Sequence, residues 1–323
     1  MLYPIKFYPI FKEKVWGGTK LKSVLNKNIK SEKTGESWEI SGVKNNLSIV
    51  SNGRLEGIDI QELIETYKSD VVGKKTYSKF GNVFPLLIKF IDAKDDLSVQ
   101  VHPDNIYAKL KHNENGKNEM WYVVDADKGS DMIVGINNNL TKKEYLQYVK
   151  GNNIKDILNF EKIKCGDAFD IPAGRIHAIM KGTLLAEIQQ NSDLTYRIFD
   201  WNRKGLDGEY RELHTEHAAE VVNLNKKDNY FIKYIKDTGN AEKLISNIYF
   251  TVNIIQFDNS LKRGFEKLDS FIIYMCVKGS LKIKYGTSEI SLQKGETILI
   301  PAIIKQIELK PHEKTELLEI YIK

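Results

Sequence analysis

One turn occurs twice in this chain. Gly166-x5-Pro172-x-Gly174-x2-His177 ends a strand-like stretch, reverses at Pro-x-Gly and then presents a histidine. Gly295-x5-Pro301 repeats the first half of the pattern, with Ile303 and Gln306 at the places of the second glycine and the histidine. A turn repeated in this way predicts two related β units, only the first of which keeps a metal-ligating side chain. Short apolar runs bounded by turn signals surround it: FPLLIKFIDA (84–93), LSVQVHP (97–103), EMWYVVDA (119–126), DAFDIPAG (167–174) and LLAEIQQ (184–190). Their spacing is that of a sandwich or barrel.

Helical signals are fewer. TKKEYLQYVKG (141–151) has a capping-box pattern at Thr141 and Glu144, Tyr145 and Tyr148 on one face, and Gly151 at its end. NIKDILNF (153–160) reads as a second helical run, so a helical insertion over about 137–162 is expected within the strands. Weaker helices are expected at 58–67 and 214–224. Strands return after about residue 230, and a boundary near 225–240 divides the chain into 1–235 and 236–323. The Gly-x5-Pro-x-Gly-x2-His spacing is that of the second cupin motif, so the expected fold is mainly β: two cupin-type jelly-roll barrels, the C-terminal one lacking metal ligands.

Composition removes other classes. With 323 residues, 41% hydrophobic and 28% charged, the chain has the profile of a folded globular protein. Pro4, Lys6, Pro9 and Lys12 interrupt any apolar leader, and the longest apolar run, FIIYMCV at 271–277, is far short of the ~18 residues of a membrane span. Cys165 and Cys276 form no C-x-x-C pair, as expected in a reducing compartment, and a cytoplasmic location follows. The net charge of +5 is spread without a basic block, which gives no reason to expect nucleic acid and leaves an anionic small molecule open.

Gln100 and His102, two apart in a strand, point to one face; Glu119 opens the next apolar strand and His177 follows the turn. Singly, a strand histidine is more often a satisfied polar group and a carboxylate before aromatics a solvated strand end. Jointly, two imidazoles, a carboxylate and an amide from three strands suit zinc with an open position.

These segments also carry a family resemblance. QVHPDN (100–105), GKNEMWYVV (116–124), PAGRIHAI (172–179) and EIQQNSDLTYRIFDW (187–201) resemble the signature segments of type I phosphomannose isomerases, particularly the short bacterial form, as do WGG (16–18) and GESWEIS (35–41). The likeness runs from residue 16 to about 220. It implies a mannose-6-phosphate isomerase holding one Zn²⁺ per chain at Gln100, His102, Glu119 and His177. It further implies an active-site arginine at Arg197, substrate or phosphate contacts at Lys89 and Ser98, and a cation beside the metal at Lys117. An aldose–ketose interconversion through an enediolate needs charge stabilisation on two oxygens and a base near carbon, for which Lys117 and Glu187 are both candidates. The expected partner is a small-molecule sugar phosphate, with no nucleic acid or membrane, in a monomer or weak homo-oligomer.

Rival readings use the same residues. His102, Glu119 and His177 have the composition of the facial triad of a non-haem iron oxygenase, and a barrel of this kind can also serve as a non-catalytic sugar-binding protein. A cupin-type glucose-6-phosphate isomerase is a third alternative. Gln100 together with the cations Lys89, Lys117 and Arg197 favours a redox-inert site for a phosphorylated sugar. His112, His214, His217 and His312 read as solvated or capping residues, and Trp121, Tyr122, Phe199 and Trp201 as core or barrel wall.

Overall fold

The computed structural model describes residues 2–323. Eleven strands build the first half: β1 (Ile10–Gly18), β2 (Thr34–Ser41), β3 (Leu86–Ala93), β4 (Val99–Val101), β5 (Glu119–Ala126), β6 (Asp131–Ile136), β7 (Leu158–Lys162), β8 (Ala168–Ile171), β9 (His177–Ile179), β10 (Thr183–Gln190) and β11 (Tyr196–Phe199). They pair antiparallel into a six-stranded sheet, β1-β2-β3-β10-β5-β8, and a five-stranded sheet, β11-β4-β9-β6-β7. This is the jelly-roll arrangement of a cupin.

The larger sheet is covered on both faces, which explains why its strands read as continuous apolar runs rather than as alternation. On β3, β5 and β10 one register set (Leu86, Ile88 and Phe90; Met120, Tyr122 and Val124; Leu184, Ala186 and Ile188) enters a core reaching into the C-terminal half. The other set (Ile91 and Ala93; Trp121 and Val123; Leu185) lies between the two sheets of the first half. Lys89, Glu119, Glu187 and Gln189 share that inward register.

The C-terminal half has two further antiparallel sheets. One runs Ala241–Ser246, Thr251–Phe257, Thr315–Tyr321, Ile272–Lys278, Thr297–Ile300; the other runs Leu261–Gly264, Gln306–Pro311, Ser280–Tyr285, Ser288–Gln293. Val252, Ile254, Ile273, Met275, Leu318 and Ile320 of the first sheet pack into the core shared with β3, β5 and β10. The second copy of the turn docks on a helical segment of the first half, where Ala302 and Ile303 donate backbone hydrogen bonds to Val71 and Asp70. Ile303 is half-exposed, and Gln306 faces solvent, donating to Glu266 at 2.8 Å. Neither side chain enters the second barrel.

Thr141 and Glu144 form both halves of the capping box at the start of the helix Lys142–Lys150. The expected second helix at 153–160 is a correction: Ile154–Ile157 is a single 3₁₀ turn, and Leu158–Lys162 is β7, paired with β6. Ile154 and Ile157 of that turn are buried together in the core beside the smaller sheet. The helices at Ile60–Tyr67 and Thr215–Val221 form as expected, whereas those at Lys74–Phe80 and Asn105–His112 were not anticipated. Among the described residues no helix is long and apolar enough to cross a membrane.

Candidate metal centre and substrate cavity

The turn after β8 places the first ligand group. Gly174 adopts φ +84°, a left-handed value that favours glycine, and a Cβ there would lie 2.8 Å from the Val221 carbonyl. Its N–H donates to the His102 carbonyl at 2.8 Å. The turn thereby ties β9 to β4, where Gln100 pairs directly with His177. On the other side of β4, Gln100 pairs with Arg197 of β11. Directly paired residues share a face, so Arg197, Gln100 and His177 form one row across the smaller sheet.

His102, Glu119 and His177 converge with 1% exposure or less. His102 Nε2 lies 3.2 Å from Glu119 Oε1 and 3.1 Å from His177 Nε2, and His177 Nε2 lies 3.8 Å from Glu119 Oε2. The opposite nitrogen of each ring faces a backbone carbonyl: His102 Nδ1 at 2.9 Å from Leu194 O, His177 Nδ1 at 2.8 Å from Arg175 O. A carbonyl only accepts, so geometry assigns the proton to Nδ1 in both rings. Two Nε2 lone pairs then face each other without a hydrogen between them. Burial, and after it Lys117, pushes His102 down to about 4, so protonation does not resolve the clash near neutral pH. Burial lowers His177 as well.

Both Glu119 oxygens are buried without a hydrogen-bond partner. Lys117 Nζ stands 3.1 Å from Oε1 but without hydrogen-bond alignment. Burial alone would raise the Glu119 carboxyl; Lys117 and then His102 hold it well below the ordinary carboxylate range. Two lone pairs and an unpartnered carboxylate in a dry site call for a cation, and the donor set fits a divalent metal. Among the described residues it is the single group of histidine, cysteine and carboxylate side chains close enough to hold one. The hydrogen bonds at Nδ1 orient the rings, as outer partners do in metal sites.

A cavity of about 380 Å³ opens beside this group and is lined by Ser98, Gln100, Lys117, Lys89, Glu187 and Arg197. All the expected substrate-contact and catalytic positions therefore share one space. Lys117 is 4% exposed, which excludes a solvated loop lysine. Lys89 is consumed by its cross-strand partner Glu187 at 2.8 Å, and the second Glu187 oxygen accepts from Trp121 at 2.8 Å. Burial opposes the Lys89 charge, but Glu187, Glu36 and Asp193 outweigh it and raise the ammonium above its ordinary range. Arg197 makes no ion pair with Asp193 or Asp200; its Nη1 donates to the Glu212 carbonyl at 2.8 Å and its buried Nε has no partner.

The cavity also takes residues that sequence reading missed: Lys14, Glu36, Asp193 and Arg211. Lys14 could have been found from the alternation Lys12, Lys14, Trp16 along β1. Arg211 lies beyond a long polar connection with no periodic signal. The bland reading of three histidines is also modified. His112 Nε2 is 2.6 Å from the Tyr196 hydroxyl, His217 stacks on Tyr196 at 5.1 Å, and His214 Nδ1 accepts from the Arg197 backbone N–H at 3.2 Å.

Fold and site together define a two-unit cupin with one candidate metal centre, in the first unit. A family model described as the catalytic domain of type I phosphomannose isomerase matches residues 5–146, and one described as the cupin domain of mannose-6-phosphate isomerase matches residues 240–321. The probable mannose-6-phosphate isomerase GmuF of Bacillus subtilis is 37% identical over 305 residues, covering 94% of each chain. The mannose-6-phosphate isomerase of Streptococcus mutans is 36% identical over 306 residues, again covering 94% of each. The crystal structure of the mannose 6-phosphate isomerase from Bacillus subtilis matches with a TM-score of 0.91 at 33% identity, covering 99% of this chain and 100% of that one. The chain belongs to the type I phosphomannose isomerase family.

Proposed function

We propose that this chain interconverts mannose 6-phosphate and fructose 6-phosphate by moving a proton between C2 and C1 through an enediolate. The observation that carries the reading is the pair of facing Nε2 lone pairs and the unpartnered Glu119 carboxylate beside a cavity lined by cations. His102, Glu119, His177 and the neighbouring amide of Gln100 would hold one divalent ion, zinc by its preference for imidazole and carboxylate. When bound, that ion supplies Lewis acidity toward developing negative charge on the sugar oxygens.

The chain's own residues carry the remaining work. Arg197, fixed by its backbone and Nη1 contacts, presents a planar charged fork to the cavity and orients the sugar. Lys117 lines the cavity with an ammonium that has no aligned hydrogen bond, which favours it for handling the proton. Both Glu187 oxygens already accept N–H groups, so this carboxylate is better suited to holding Lys89 in place. Ser98, buried in the wall, adds a hydroxyl to the substrate contacts.

A coupled assay comparing mannose 6-phosphate with glucose 6-phosphate tests the substrate. Turnover of the mannose isomer and little of the glucose isomer is expected, without oxygen uptake. Preference for glucose 6-phosphate, or oxygen consumption dependent on a bound iron, contradicts the proposal.

A further inference from the structure

We infer that Arg211, held by Asp200, is the anchor for the substrate's phosphate group. The inference rests on the sugar-phosphate reading above and adds a residue outside every motif that suggested it. Its starting point is a charge count around the cavity. Lys14, Lys89 and Lys117 each face a carboxylate: Glu36 at 3.2 Å, Glu187 at 2.8 Å and Glu119 at 3.1 Å. These three cations are largely neutralised within the protein. The uncompensated charge lies at the other end, where Arg197, Arg203 and Arg211 gather about the single buried carboxylate of Asp200. Of the other acids, Asp193 in the cavity wall acts on Lys89, and Glu212, which acts on Arg197, keeps its side chain 83% exposed.

Geometry selects Arg211 from the three. Asp200 Oδ2 accepts from Arg211 Nε at 2.6 Å and Oδ1 from Nη2 at 2.5 Å, a bidentate clamp on one edge of the guanidinium. Nη1 and its two N–H groups have no protein partner among the described residues, and Arg211 is in the cavity wall. Arg203, the third cation, shares Asp200 at 3.0 Å but does not line the cavity. Arg197 does line it, and its charge is disfavoured by burial and then by Arg211 beside it. Two like charges at one wall are costly when it is empty and complementary to a dianion when it is filled.

The backbone pins this arrangement. After β11 the chain turns through Trp201 and Asn202 at φ +57° and +53°, an unusual pair of left-handed non-glycine residues. Trp201 Nε1 donates to the Leu97 carbonyl at 2.6 Å, one residue from Ser98. A short bridge from Lys204 to Tyr210 then folds the segment back and delivers Arg211 beside Arg197. Lys89, already bonded to Glu187, is displaced from the phosphate role that the family resemblance implied for it.

Arg211→Gln, Arg211→Lys and Arg203→Gln separate the roles, read by turnover and by calorimetric titration with inorganic phosphate. Arg211→Gln is expected to raise KM for mannose 6-phosphate and the Kd for phosphate by about 10- to 100-fold, the worth of a charge-assisted hydrogen bond, with kcat within about threefold. Arg211→Lys, which keeps the charge and guards against misfolding of the glutamine variant, is expected to lose less. Arg203→Gln should leave both constants near wild type. Unchanged KM and phosphate affinity in folded Arg211→Gln or Arg211→Lys protein, or a wild-type enzyme that turns over mannose 6-phosphate without binding phosphate, overturns the anchor. A wild-type protein inert toward mannose 6-phosphate that still binds phosphate through Arg211 supports the anchor and overturns the isomerase reading instead.

Discussion

The buried pair Lys89 and Glu187 separates a structural from a chemical role at single residues. Both side chains are 3–4% exposed, so Glu187→Gln leaves the Lys89 ammonium without its bonded carboxylate and with only the charges of Glu36 and Asp193 to offset burial, and unfolding by urea should show a loss of about 1–3 kcal/mol. Lys117→Met removes the group assigned to proton handling, and kcat should fall about 10²–10⁴-fold with metal content retained. Equal effects of the two changes on kcat, with no loss of stability in the first, would reverse the assignment. His102 supplies a pH dependence in metal-stripped protein. Its folded value of about 4 lies below the 6.5 of an ordinary histidine, so the unfolded chain takes up the proton first. Stability from this residue is therefore full above about pH 6.5 and falls as pH drops toward 4, by about 3 kcal/mol. His102→Gln should flatten that part of a melting-temperature profile against pH.

Among the elements, the Pro172–His177 turn carries the most information per residue. Gly174→Ala sets a Cβ against the Val221 carbonyl at a φ that alanine avoids, and should cost more than about 1 kcal/mol while weakening metal affinity, since His177 stands three residues on. Calorimetry and metal titration of the variant check both effects. The same turn shows what the sequence made legible. Pro-x-Gly-x2-His and Gln-x-His are local devices, in which fixed dihedrals and strand alternation determine where a side chain points, so they predict convergence without the fold. The stretch 153–160 misled because two buried isoleucines resemble a helical stripe over so short a span. Arg211 was invisible for another reason: its place depends on two left-handed residues and a polar hairpin, neither of which leaves a periodic trace. Glu187 was legible as a polar residue in an apolar strand, but its two hydrogen-bond donors come from neighbouring strands and only the pairing register reveals them.

At the scale of the whole molecule, the two halves share a core. Leu86, Ile88, Phe90, Met120 and Ile188 pack with Val252, Ile254, Ile273, Met275, Leu318 and Ile320 across the two facing sheets. Removing residues 236–323 would uncover side chains whose burial contributes roughly 1.5–3 kcal/mol each, against a total stability of about 5–15 kcal/mol for a typical domain. A fragment of residues 1–235 is therefore expected to aggregate or to lack a cooperative melt, and a soluble fragment with wild-type stability would contradict this dependence. The C-terminal half thus supports the six-stranded sheet from behind, while its own interior is filled by aliphatic and aromatic side chains and by Glu319 bonded to Arg263 and Tyr274. Among the described residues the one group that could hold a metal is His102, Glu119 and His177, with Gln100 proposed beside it. The most direct test is a titration of divalent zinc into fully stripped protein, following bound metal and mannose 6-phosphate turnover together. Both should saturate at one equivalent per chain and vanish together in His177→Ala; full turnover in the stripped protein, or a second equivalent bound within residues 236–323, would contradict the account.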